Sequence, residues 1–323
     1  MMNVLRAARL LMALLAFAVV ALPALAQTFP NRTMRIVVPY PPGGSIDLTG
    51  RIVAKNLQER VGQSVVVENK PGANGAIGID DLMRSAADGH TLVILSDSPV
   101  TINPHLTHVN YDPLRDLVPI SRVVRSPLIL AANAKAGIAS IADLVAAAKA
   151  KPLSIGVSAL GSTSYFAAEL LKRSLGLTMQ AVPYRGGAPA AVAVAAGEVP
   201  LIFTDSAAIL PMIKTGQVVA LGISEPVRSR GMPDIPTLRE AGVPGFAASS
   251  WLALFAPRGT PGDRVAKLNA ELAKILALPD AQKVLLAAGL EPAPNSPAEM
   301  RHIIGDDSGK WGELIRATGL KAE

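Results

Sequence analysis

The segment Pro39-Tyr40-Pro41-Pro42-Gly43-Gly44-Ser45-Ile46-Asp47 carries the residue types and spacing that suit an anion site. It follows the apolar run Met34 to Val38 and precedes a helical pattern from Leu48 to Leu57. A strand, a Pro-Gly-Gly turn and a helix start leave backbone N–H groups free at a loop tip, where the helix N-terminus adds partial positive charge. A carboxylate or phosphate fits that spot. The same residues also suit a plain strand-to-helix turn, with glycine for positive φ and Ser45 or Asp47 as N-cap. On these residues alone both readings stand.

Residue patterns for covalent or metal chemistry are weak by comparison. His105 and His108 have HxxH spacing, but they lie in a Pro/Asn-rich loop without a neighbouring carboxylate and read as loop residues rather than zinc ligands. Gly156-Val157-Ser158-Ala159-Leu160 lacks the second glycine of a nucleophile elbow. Gly72, Gly75 and Gly78 are spaced GxxGxxG, which is not the dinucleotide fingerprint. With no cysteine in the chain, thiol chemistry and cysteine zinc sites are excluded. The expectation is a protein with no catalytic residues, no metal and no cofactor. An exported hydrolase or metal-dependent enzyme acting on a small anionic substrate is the alternative class.

The elements that must position the Gly-Gly loop follow an alternating pattern. Arg35–Val38, Ser64–Glu68, Thr91–Leu95, Pro127–Ala131, Ser154–Val157, Met179–Val182, Leu201–Thr204 and Val218–Ile223 read as short apolar strands. Between and after them, Ile46–Arg60, Gly75–Ser85, Ile141–Lys149, Ser164–Leu175, Pro189–Ala196, Pro261–Leu276, Pro279–Ala288 and Pro297–Ala317 read as helices. Near-continuous apolar strands between helices predict an α/β fold with mostly parallel sheets flanked by helices. Two extended segments, Leu117 to Leu130 and Ala247 to Pro257, are candidates to carry the chain between domains. Residues 27–123 with 252–323 would then form one domain, and 124–251 a second one inserted into it. Doubly wound sheets bind ligands beyond the carboxyl ends of their strands, so two facing domains enclose a cleft.

The N-terminus reads as an export signal, with Arg6 and Arg9 ahead of the apolar stretch Leu10 to Leu22 and an Ala24-Leu25-Ala26 cleavage site. The apolar stretch is shorter than the ~20 residues of a membrane span. Residues 1–26 are therefore expected to be removed, leaving an exported, unanchored chain of 297 residues (323 less 26) that begins at Gln27. That removes two of 31 basic residues and none of 25 acids, so the charge falls from +6 to +4. A mild positive charge without a Lys/Arg cluster favours anionic solutes and argues against nucleic acid.

Further ordered motifs carry a resemblance. They are Val67-Glu68-Asn69-Lys70-Pro71-Gly72-Ala73-Asn74-Gly75, Asp88-Gly89-His90-Thr91-Leu92, Asn103-Pro104, Gly161-Ser162, Val182-Pro183-Tyr184-Arg185-Gly186-Gly187-Ala188-Pro189, Pro233-Asp234-Ile235-Pro236-Thr237-Leu238, Glu240-Ala241-Gly242 and Ala256-Pro257-Arg258-Gly259-Thr260-Pro261. With Pro42-Gly43-Gly44 and Asp47, they make the chain resemble the tripartite tricarboxylate transporter receptors, the Bug-type periplasmic solute-binding proteins. The resemblance implies a two-domain periplasmic-binding-protein (Venus-flytrap) fold, a small carboxylate ligand, delivery to cognate membrane permease subunits, and a monomer.

The resemblance also implies which residues face the ligand. Tyr40, Pro42, Gly43, Gly44, Ser45 and Asp47 correspond to a first-domain loop gripping the ligand carboxylate, and Asn74 with Gly75 to a second helix start. Ser96 and Asp97 would line the floor. From the second domain come Gly161, Ser162 and Thr163, then Tyr184, Arg185, Gly186, Gly187 and Ala188, and Thr204 with Asp205 at the far end. Read without the resemblance, Asp47, Asn74 and Ser162 also suit plain N-caps, Arg185 a solvated charge and Asp205 a turn residue. Gly44 is expected to need positive φ and to admit no Cβ.

Overall fold

The computed structural model describes residues 29–248 and 250–319, so the expected export signal lies outside the described residues. The first lobe opens with β1 (Met34–Val38), α1 (Ser45–Val61), β2 (Val65–Asn69), α2 (Ala76–Met83) and β3 (Thr91–Ser96). Single-turn helices α3 (Ser98–Thr101), α4 (Asn103–Leu106) and α5 (Pro113–Asp116) lead into β4 (Leu117–Ser126). The second lobe runs β5 (Leu128–Asn133), α6 (Ile141–Ala150), β6 (Leu153–Val157), α7 (Thr163–Leu175), β7 (Met179–Pro183), α8 (Gly187–Ala196), β8 (Leu201–Asp205), α9 (Ser206–Lys214) and β9 (Val218–Ile223). The chain then returns through β10 (Ser250–Pro257), α10 (Gly262–Leu276), α11 (Pro279–Ala287), the two-residue β11 (Glu291–Pro292) and α12 (Pro297–Thr318).

The strands form two sheets, ordered β11-β4-β10-β3-β1-β2 and β7-β6-β8-β5-β9. The α/β architecture is the expected one: β1–β4 share one direction and β6–β9 share one direction, and each sheet is mixed because β5 in one and β10 and β11 in the other run against it. The βαβ sets β2-β1-β3 and β7-β6-β8 are parallel, as helical crossovers require. The strand by which the chain enters each lobe runs the other way. β5 is antiparallel to β8 and β9, and β10 is antiparallel to β3 and β4. An entering strand starts at the end of the sheet where the βαβ strands finish, and that end faces the other lobe. The extended stretch from Leu117 is thus two strands in different sheets, separated by Pro127.

Alternation along the strands fills a core on each face of each sheet, because successive side chains point to opposite faces. Met34, Ile36 and Val38 pack with Val53 and Leu57 of α1 and Leu268 and Leu272 of α10. Val37, Val93, Leu95 and Phe255 pack on the other face with Ile79 and Leu82 of α2. In the second lobe Leu128 and Leu130 join Phe166 of α7, while Ile129 and Ala131 join Ala190 and Val194 of α8. Helix α12 belongs to both lobes. Met300 and Ile304 enter the first-lobe core, and Trp311 and Ile315 enter the second.

Candidate functional site

The ends of β1, β3, β6 and β8 and the starts of α1, α7, α8 and α9 converge on one cleft of about 860 Å³ between the lobes. That is the size range of small-molecule sites, and its place beyond the strand ends is where doubly wound sheets take ligands. The lobes touch at its floor. Thr163 Oγ1 donates to Asp97 Oδ2 at 2.9 Å, and Ser98 Oγ donates to the Gly161 carbonyl at 2.9 Å.

The helix starts around the cleft differ in who satisfies them. Ser162 caps α7, its hydroxyl accepting from the Tyr165 N–H at 3.2 Å, and Asp205 caps α9, Oδ1 accepting from the Ala208 N–H at 3.3 Å. Gly44 before α1 and Gly186 before α8 have no side chain and give no such cap. The first-turn N–H groups of α1 and α8 therefore remain for another acceptor, and they come from opposite lobes. Together with the helix dipoles they can hold an anion without a side-chain cation.

Tyr40, Pro42, Gly44, Ser45, Asp47, Asn74, Ser96, Asp97, Ser162, Thr163, Arg185, Gly186, Gly187, Ala188 and Asp205 all border the cleft. The other named residues do not border it. Gly43 carries the positive φ of the turn, +92°, and its N–H is taken by Asp47 Oδ2 at 3.1 Å. Gly44 is extended at φ −84°, and among the described residues nothing lies within 4 Å of where a Cβ would stand, so neither its backbone conformation nor its protein neighbours require glycine. Gly75 lies buried behind Tyr40, and Gly161 offers its carbonyl to Ser98 instead of an N–H to the cleft. Tyr184 packs its ring beside Gly156, and Thr204 is buried beneath Gly187.

Asp47 and Asn74 are not caps. Asp47 sits in the first turn of α1 and accepts from Arg51 Nε at 2.9 Å and Asn69 Nδ2 at 2.9 Å. Burial pushes its pKa upward, but these hydrogen bonds and the Gly43 N–H outweigh it and hold the carboxyl below its usual value. Asn74, in the left-handed region at φ 47°, ties Ser98 to Asn103 through its amide at 2.9 Å each. Arg185 is exposed at the rim and is the one basic side chain among the described residues that line the cleft.

Among the described residues the other carboxyls bordering the cleft are Asp97 and Asp205. Asp97 is fully enclosed, accepting from Ser250 Oγ at 2.7 Å as well as from Thr163. Burial pushes it up to about 7, with Asp307 adding to the rise and the two hydroxyls opposing it. Asp205 is only half-buried and faces the Ser45 hydroxyl across the cleft. Burial raises its pKa too, against the lowering from Ser45 and the Ala208 N–H.

Ser126, Leu128, Ser158, Ser250 and Leu252 also line the cleft, and sequence reasoning did not find them. All five sit at the two interlobe passages or just past β6. An extended-segment signal marked the passages as connections, without indicating that they face the site. Tyr40 OH and Ser96 Oγ lie 3.0 Å apart, fixing the phenol against the end of β3.

Residues 49–320 match the family model described as the tripartite tricarboxylate transporter family receptor. The chain is 37% identical over 324 aligned positions to Protein BugT of Bordetella pertussis, covering 99% of each. Among solved structures it is similar to R. palustris Rpa4515 with adipate, at 33% identity and TM-score 0.86, covering 91% of this chain and 99% of that one. It is also similar to MatC from Rhodopseudomonas palustris with bound malate, at 30% identity and TM-score 0.82, covering 89% of this chain and 100% of that one.

Proposed function

Since the chain belongs to the tripartite tricarboxylate transporter receptor family, whose members are periplasmic solute-binding proteins, we propose that it captures a small carboxylate in the interlobe cleft and delivers it to a membrane permease of the tripartite tricarboxylate type. The observation that carries the reading is the pair of uncapped helix starts, α1 and α8, that meet across the cleft from opposite lobes. Backbone N–H groups bind a carboxylate through charge-assisted hydrogen bonds without any reorganisation of long side chains. An anion held by both lobes also favours the closed arrangement, because only interactions stronger in one state shift an equilibrium toward it. The protein acts as an exported monomer and returns its ligand chemically unchanged.

Thermal-shift measurements across a panel of mono- and dicarboxylates test this. A ligand at 100 times its Kd adds ~2.7 kcal/mol to the folded state and a visible rise in Tm. At least one carboxylate is expected to stabilise the protein and to be recovered intact by mass spectrometry. Consumption of the ligand by the protein alone rejects the receptor reading in favour of an enzyme.

A further inference from the structure

Resting on that carboxylate-receptor reading, we propose that Asp205 reads a protonated amine and that the preferred ligand is zwitterionic, an amino acid rather than a simple mono- or dicarboxylate.

Among the described residues three carboxyl side chains border the cleft, and only one of them is available to a ligand. Asp47 is neutralised by Arg51 and further satisfied by Asn69 and the Gly43 N–H. Asp97 is wholly enclosed and already accepts two hydroxyls. Asp205 stays half-buried at the cleft wall. Among the described residues it has no ion-pair partner. Its neighbours are the Ala208 N–H at 3.3 Å, the Thr204 hydroxyl at 3.5 Å and Ser45.

Its position relative to the helix starts sets the chemistry. A Cβ on Gly187 would fall 2.4 Å from Asp205 Oδ2, so the backbone that opens α8 lies directly against this carboxylate, and Ser45 opens α1 on the other side. An acceptor and two sets of donors thus meet within reach of one small molecule. A second ligand carboxylate placed there meets a like charge that burial already disfavours. An ammonium group placed there supplies the cation that Asp205 lacks, in a charge-assisted hydrogen bond.

Calorimetric titration of two matched pairs, L-norvaline with valerate and L-aspartate with succinate, separates these cases. The amine-bearing member of at least one pair is expected to bind about 10- to 150-fold more tightly, the range of one charge-assisted hydrogen bond. Asp205→Asn keeps an N-cap residue for α9, and a Tm without ligand no lower than that of the natural protein verifies the fold. In that variant the preference for the amine is expected to collapse through weaker binding of the amino acid. Equal or tighter binding of the amine-free acids by the natural protein overturns this proposal alone, as does an amine preference that survives Asp205→Asn. Silence from all four compounds and from the wider carboxylate panel overturns the receptor reading together with it.

Discussion

Replacing Asp97 by Asn removes a titrating group from the joint between the lobes, and the effect on stability is fixed in sign. In the unfolded chain this carboxyl titrates near 3.8, and in the fold burial first, then Asp307, carry it up to about 7. Between those values the folded state holds the proton more tightly than the unfolded state, so stability falls as pH rises through the window. Above pH 7 the buried charge costs the natural protein about 4 kcal/mol as an upper bound, from 1.36 kcal/mol per pH unit. Asn has no such titration, and its amide can still pair with the Ser250 and Thr163 hydroxyls. The Tm of Asp97→Asn minus that of the natural protein should therefore climb between pH 4 and pH 7 and level off above it. At roughly 2–4 °C per kcal/mol for chains near this size, the climb should reach several degrees. Scanning fluorimetry of both proteins in one buffer series is sufficient. A difference that is flat across the window, or that falls, refutes the assignment of Asp97 as a buried, up-shifted carboxyl.

Two further substitutions distinguish backbone from side-chain roles. Gly187→Ala brings a methyl within 2.4 Å of Asp205 Oδ2 and 2.7 Å of Thr204 Oγ1. It should cost about 1–3 kcal/mol by overpacking and weaken every ligand. Gly44→Ala meets open space at an ordinary φ and should leave stability within about 0.5 kcal/mol, both read as Tm. Arg185→Ala should leave monocarboxylate affinity within about fivefold, since its side chain is exposed and exposed charges contribute ~1 kcal/mol or less. Calorimetry showing that Arg185→Ala abolishes binding of every carboxylate would replace the helix-start anchor with a salt bridge.

The strands were legible because each is a short apolar run with β-branched residues, and all the stretches read as strands from sequence coincide with strands to within a residue or two. The passages between lobes were visible as extended segments, although nothing local showed that Pro127 divides two sheets. Helix α9 was missed because Pro211 sits inside it and breaks the usual pattern. The shared direction of most strands was legible from the helices between them, whereas the reversed β5 and β10 were not, because apolar content reports burial and not how the chain enters each lobe.

The candidate site was legible where one short motif places a turn and a helix start after a strand end, as in Pro39–Asp47 and Arg185–Ala188. It was misread within the motif, where positive φ belongs to Gly43 and Gly44 is extended. The left-handed glycine is the one whose N–H the Asp47 side chain accepts, a contact that the order of the residues does not reveal. Ser250 and Ser126 escaped notice because they meet the site only through folding at long range. Asp97 illustrates this, since one partner lies 66 residues and the other 153 residues away in the chain.

A carboxylate gripped between the starts of α1 and α8 would be seen most directly in a crystal structure of the protein with the acid that gives the largest thermal shift. Its carboxylate oxygens are predicted to lie within hydrogen-bond distance, about 2.7–3.2 Å, of first-turn N–H groups on both helices, Ser45 or Ile46 from one lobe and Gly187 or Ala188 from the other. A ligand seated elsewhere in the cleft, or held by Arg185 with those N–H groups unoccupied, would contradict the two-helix grip.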